Sequence, residues 1–176
     1  MKSKVLAITL LATTTIIGYT GTTFASDCGM GETKYTAEGS IITENVSSNL
    51  QIGSISLTLL NEDSDKKVFD SGSLVGNVTG AEGPGVILLS HVARFSQGNS
   101  FVTNDDRAVV VGFRDFLPDG ITPCSFFIHE NISEISRGTR FFRNVTDVEV
   151  FADGYIDNCP GNNGNYFEIS GDLCVE

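Results

Sequence analysis

The sequence predicts an all-β fold, an antiparallel up-and-down β-barrel of about eight strands, on three observations. Helix periodicity is nearly absent beyond the first 25 residues, while short runs of alternating apolar and polar residues recur throughout. Those runs are separated by brief clusters of Gly, Asn, Asp and Pro, which favour connection of each strand to the next. The four cysteines sit where closure of such a meander would bring strand ends together. A two-sheet β-sandwich is the alternative architecture.

The strands follow in order. TKYTAEGSIIT (33–43) opens the series, and LQIGSISLTLL (50–60) follows with Ile55, Leu57 and Leu59 on one face and Ser54, Ser56 and Thr58 on the other. That is the signature of a sheet wet on one side. After the acidic turn Asn61-Glu62-Asp63-Ser64-Asp65 comes KVFDSGSLVG (67–76), then a glycine-rich turn over Gly80 to Gly85. GVILLSHVARF (85–95) places Ile87, Leu89, Ala93 and Phe95 on one face with His91 among them. A hairpin tip at Ser96 to Ser100 leads toward DRAVVVGF (106–113), the turn Pro118-Asp119-Gly120 and CSFFIHENISEI (124–135). Gly138 is expected in a tight turn, with Phe141 and Phe142 on opposite faces of the following sheet. VTDVEVFADGYI (145–156), the turn Pro160 to Gly164 and NYFEIS (165–170) complete eight strands. A ninth strand at Phe101 to Thr103 would make the ring odd-numbered and upset its closure.

The N-terminus reads as a signal peptide over residues 1–25. Lys2 and Lys4 precede an apolar, threonine-rich run, and Thr23-Phe24-Ala25 offers small residues for cleavage after Ala25. The expected product is a single barrel domain over 26–176, secreted or periplasmic, with no membrane span in the mature chain. Removing the leader lysines takes the formal charge from −11 to −13. An acidic surface without a basic stripe argues against nucleic acid as a partner.

Cys28, Cys124, Cys159 and Cys174 are an even set in an exported chain, so disulfides are expected. In a closed ring of even strand number the first strand begins beside the end of the last, which pairs Cys28 with Cys174. Cys124 opens the sixth strand and Cys159 follows the seventh, so the hairpin between them pairs those two. No C-x-x-C occurs, and the stretch from Asn61 has Lys66 and Gly72 where a calcium loop needs Gly and a bidentate acid. No metal site and no cofactor are expected.

The second half carries an ordered set of features. Gly80-Ala81-Glu82-Gly83-Pro84-Gly85 precedes a long strand, then come Phe101-Val102-Thr103-Asn104-Asp105-Asp106-Arg107-Ala108 and Arg137-Gly138-Thr139-Arg140-Phe141-Phe142. Gly154 and Phe167-Glu168-Ile169-Ser170-Gly171 close the series. Over about residues 74–176 this order resembles the allene oxide cyclase and dirigent-like β-barrel superfamily. The resemblance implies a barrel with an apolar cavity. It also implies relatives that cyclise an oxidised fatty acid or steer radical coupling of phenols. Arg137 and Arg140 stand where that family has glycine, Asp147 lies near another such position, and no catalytic motif transfers.

Among the residues themselves, His91 is the one candidate catalytic or pocket group, because it shares a strand face with apolar residues. His129 adjoins Glu130, but strand neighbours point to opposite faces and cannot act as a pair. Asp147, Glu149 and Asp153 alternate with Val148, Val150 and Ala152, which puts those acids on one face, by default the exterior, since inside a barrel they would be costly buried charges or a functional polar pocket; Glu130 and Glu134 belong to the same acidic set on neighbouring strands. Asn45, Asn77, Asn131 and Asn144 lie in N-x-[ST] triplets and would accept glycans only in a host that glycosylates. Hydrolase, zincin and nucleotide motifs are missing. The leading functional expectation is a small apolar ligand held in the barrel. The alternatives are an isomerase or cyclase of an oxidised lipid or phenol, and a non-enzymatic surface protein with a solid barrel.

Overall fold

The computed structural model describes residues 28–61 and 65–176. The signal peptide read at 1–25 and the centre of the Asn61–Asp65 turn lie outside the described residues. Ten strands form one sheet: β1 (Thr33–Ser47), β2 (Leu50–Asn61), β3 (Lys66–Gly83), β4 (Val86–Arg94), β5 (Ser100–Thr103), β6 (Asp106–Phe116), β7 (Pro123–Ile132), β8 (Ile135–Thr139), β9 (Val145–Asp157) and β10 (Gly164–Val175). Eight of them close a ring in the order β3-β2-β1-β10-β9-β7-β6-β4, and β4 returns to β3. Every pairing is antiparallel, so the architecture is the up-and-down barrel and not the sandwich. Among the described residues no helix is long and apolar enough to cross a membrane.

The short run at Phe101–Thr103 does form a strand, yet it leaves the ring even-numbered. β3 occupies one edge of β4 over its whole length, so β5 and β6 lie end to end along the other edge, on Val92–Arg94 and Val86–Leu89. Asn104 and Asp105 interrupt what would otherwise be one long strand. β8 extends β7 in the same manner and, among the described residues, pairs only with β5. The two short strands therefore lie outside the ring of eight.

Closure follows from the register. Thr33 faces Val175 and Lys34 faces Cys174, which sets Cys28 beside Cys174 at a Cα separation of 5.5 Å. Ser125 faces Asp157 across β7 and β9, and Cys124 and Cys159 just beyond them are bonded with Cα atoms 4.8 Å apart. Both pairings are those the cysteine positions predict.

Inward residues alternate with outward ones along every ring strand. Ile55, Leu57 and Leu59 of β2, Leu89 and Ala93 of β4, and Val148, Val150 and Ala152 of β9 are buried, while Asp147 and Asp153 face solvent. One end of the barrel is filled by aromatics, with Phe142 at 1% exposure touching Phe69, Phe95 and Phe101 at ring separations of 4.9, 5.7 and 5.0 Å.

Three expectations are corrected. The segment around Gly138 is not a tight turn: Ile135–Thr139 is β8, and Arg140–Asn144 forms a 3-10 helix that leads into β9. Gly138 is needed for space, since a Cβ there would lie 1.9 Å from the carbonyl oxygen of Phe142. Phe141 and Phe142 do not straddle a sheet. Both pack inward, with Phe141 edge-on to Tyr35 at 5.4 Å, because a 3-10 turn points adjacent side chains about 120° apart and not to opposite faces. Finally, the glycine-rich stretch from Gly80 is mostly strand, and only Pro84 and Gly85 turn. Bulges at Val78/Gly80 and Ala81/Gly83 absorb its irregularity.

Candidate functional site

The inward phase of β4 delivers His91 into the barrel between Leu89 and Ala93. Gly76 is its cross-strand partner on β3, and a Cβ at that glycine would lie only 3.1 Å from the imidazole. The missing side chain opens room for the ring. β5 ends at Thr103, and the turn through Asn104 and Asp105, the latter at φ 56°, starts β6 with Asp106 pointing inward. Glu130 reaches the same place from β7, in phase with buried Ile128.

Four side chains, from the ring strands β4, β6 and β7 and from the short β5, thus converge. His91, Thr103, Asp106 and Glu130 are 6%, 0%, 1% and 3% exposed. Nδ1 of His91 is 2.8 Å from Oδ2 of Asp106 and 3.4 Å from Oε1 of Glu130. The Thr103 hydroxyl donates to Asp106 Oδ2 and accepts the backbone N–H of His91 at 3.1 Å. Asp106 Oδ2 is the nearer of the two carboxylate oxygens to Nδ1. Oε1 of Glu130 and Oδ1 of Asp106, both buried, accept no hydrogen bond from any described residue.

Charge governs this cluster. Burial opposes a charge on His91, but the carboxylates of Glu130 and Asp106 outweigh it and raise the imidazole above its ordinary value. Burial pushes the Glu130 carboxyl up, against the pull of His91 and with the help of the Asp106 charge. The three titratable side chains share a dry interior, where any unpaired charge is costly.

Beside the cluster lies a cavity of about 40 Å³, bordered by His91, Thr103, Leu57, Leu74, Phe142 and Val150 among other mostly apolar residues. It has room for one or two waters. Leu59, Leu74, Phe142 and Ala152 are among the buried side chains that pack the core.

His91 therefore sits where its strand phase placed it, and Glu130 and Asp106 are the partners that sequence reasoning did not join to it. Their signal was phase: Asp106 alternates in step with Ala108 and Val110, and Glu130 with Ile128 and Ile132. An acid in register with an apolar face is inward. His129 points outward, as strand alternation required, where Nδ1 is 2.7 Å from Asp153 and the ring stacks on Phe151 at 5.4 Å. Asn77, Asn131 and Asn144 are exposed. Asn45 is not comparable to them, because its amide nitrogen is held by Asn158, Asn165 and the carbonyl of Asp157 at the opposite end of the barrel. There Asn165, Thr43 and Asp157 form a second buried polar group, with Asn165 donating to Thr43 and accepting the Asp157 N–H. Hydrogen bonding within that group accounts for its burial.

Comparison with protein-family models, with curated proteins and with solved structures gives no match to this chain.

Proposed function

We propose that the protein is an exported, non-enzymatic barrel that works through its outer surface, its interior serving as a packed scaffold. One observation carries this reading. The cavity inside the barrel measures about 40 Å³, whereas small-molecule sites enclose roughly 300–1,000 Å³. Export to an oxidising compartment is supported by two disulfides that tie strand ends together. The outer surface departs from an ordinary wet sheet at the β6–β7 hairpin, where Val111, Phe113, Phe116, Ile121 and Phe127 are exposed and the rings of Phe113 and Phe116 lie 6.1 Å apart. Clustered exposed aromatics mark surfaces that meet other molecules.

Native mass spectrometry of the secreted, disulfide-intact protein tests the reading, with an 18-carbon fatty acid and a simple monophenol added as probes. The expected spectrum holds no retained organic molecule, and the melting temperature stays fixed with either probe. A retained organic adduct or a saturable rise in melting temperature would sink it.

A second reading follows from the position of His91 on the cavity wall. An isomerase or cyclase acting on an oxidised lipid or phenol would use such a group, as the superfamily resemblance implies, and it requires the interior to open. Turnover of such a substrate that is lost in His91→Gln distinguishes it.

A further inference from the structure

We propose that His91, Asp106 and Glu130 bind one divalent metal ion inside the barrel. One ligand atom from each lies within 4.8 Å of the other two, and all three residues are buried. The separations suit a shared ion. At metal–ligand distances of about 2.0–2.2 Å, neighbouring ligand atoms sit roughly 2.8–3.6 Å apart at octahedral to tetrahedral angles. The 2.8 Å and 3.4 Å spacings from His91 Nδ1 fall in that interval.

Two orphaned oxygens add an independent reason. Asp106 Oδ1 and Glu130 Oε1 are buried acceptors with no described donor, a condition that native interiors normally relieve with a water or an ion. A divalent cation chelated by both oxygens of Asp106 and bound by Glu130 Oε1 gives both orphans a partner at once. Thr103 fixes Asp106 through its hydroxyl, as second-layer partners do at metal sites. The adjoining cavity, about 40 Å³, leaves room for a water as a further ligand.

Ligand chemistry narrows the ion. One imidazole and two carboxylates suit Zn²⁺ or Mn²⁺ better than Cu⁺, which prefers sulfur, or Ca²⁺, which prefers six or more oxygens. Binding replaces the proton between Nδ1 and Asp106, so a proton is released as the ion enters. The enclosed position means the ion is acquired as the barrel folds and acts as a structural clasp across β4, β6 and β7. Sequence spacing could not display it, because the three ligands come from three separate strands.

The test refolds the disulfide-intact mature protein with Zn²⁺ or Mn²⁺, removes free ion and measures bound metal by elemental mass spectrometry. About one equivalent per chain is expected. The melting temperature should rise by about 8–16 °C over chelated protein at a free ion concentration a thousandfold above Kd. Glu130→Gln and His91→Gln should lose both the stoichiometry and the rise, and Asp153→Asn, on the outer surface, should keep them. If the core variants do not fold, the d–d absorption of Co²⁺ in the wild-type protein reads its ligands directly, and nitrogen–oxygen coordination is expected. Absence of bound metal after refolding with either ion, a chelator-independent melting temperature, or full metal loading in Glu130→Gln would overturn the proposal. A negative result leaves the packed-scaffold reading standing, since that reading turns on organic ligands alone.

Discussion

Nδ1 of His91 lies 2.8 Å from Oδ2 of Asp106, joining two residues of adjacent strands inside a barrel whose other layers are largely apolar. This contact is buried on all sides and depends on both partners. In chelated protein, Asp106→Ala should lower stability by about 3–5 kcal/mol, because it strands a buried imidazole and the Thr103 hydroxyl. Replacing the whole set with apolar residues of similar volume, as in His91→Leu, Asp106→Leu and Glu130→Leu together, should cost far less than the sum of the single changes. Urea unfolding reads both, and additivity of the singles in the triple variant would contradict a coupled cluster.

Phe142 is the keystone of the aromatic end, held by the 3-10 helix against Phe69, Phe95 and Phe101. Phe142→Ala should destabilise by about 3–5 kcal/mol, whereas Phe113→Ala on the exposed hairpin should change stability by no more than about 0.5 kcal/mol. Equal losses at the two sites in guanidinium unfolding would contradict this packing.

The two disulfides constrain the unfolded chain unequally. Cys28–Cys174 closes a separation of 146 residues and Cys124–Cys159 one of 35. Loop entropy predicts that removing the first pair by serine substitution costs about 1 kcal/mol more than removing the second, each loss falling at about 2–5 kcal/mol. Paired denaturant curves of the two double-serine variants provide the comparison, and a larger loss at Cys124–Cys159 would show that native-state strain outweighs chain entropy.

Asp119 supplies a pH-dependent element at the tip of the β6–β7 hairpin. Backbone N–H groups of Thr122 and Ile121 and the Thr122 hydroxyl all donate to its carboxylate, which holds the group below the usual value of 3.8. A folded value depressed below the unfolded one contributes stability that is present above pH 3.8 and is lost as pH falls through the folded value. A carboxyl NMR titration should show a midpoint below 3.8, and Asp119→Asn should remove this contribution to the acid-side slope of stability. A midpoint at or above 3.8 would refute the hydrogen-bond account.

Much of the barrel was legible without coordinates. The period-2 runs set the strands, and Ile55, Leu57 and Leu59 declared their inward face because only one phase of β2 is apolar. Cysteine placement at strand ends identified both pairings, since an even meander brings those ends together. His91 was legible too, as a polar residue in an apolar phase.

Tertiary structure alone decided what surrounds it. Asp106 and Glu130 lie 15 and 39 positions from His91, and their meeting depends on how β4, β6 and β7 register across the sheet. Period-2 patterning fixes which way a side chain points, but register fixes its height in the barrel and therefore its neighbours. The same limit explains Phe101–Thr103 and the Gly138 segment. A local pattern marks a strand, whereas only the hydrogen bonds of β5 to β4 and β8 place it in line with β6 and outside the ring.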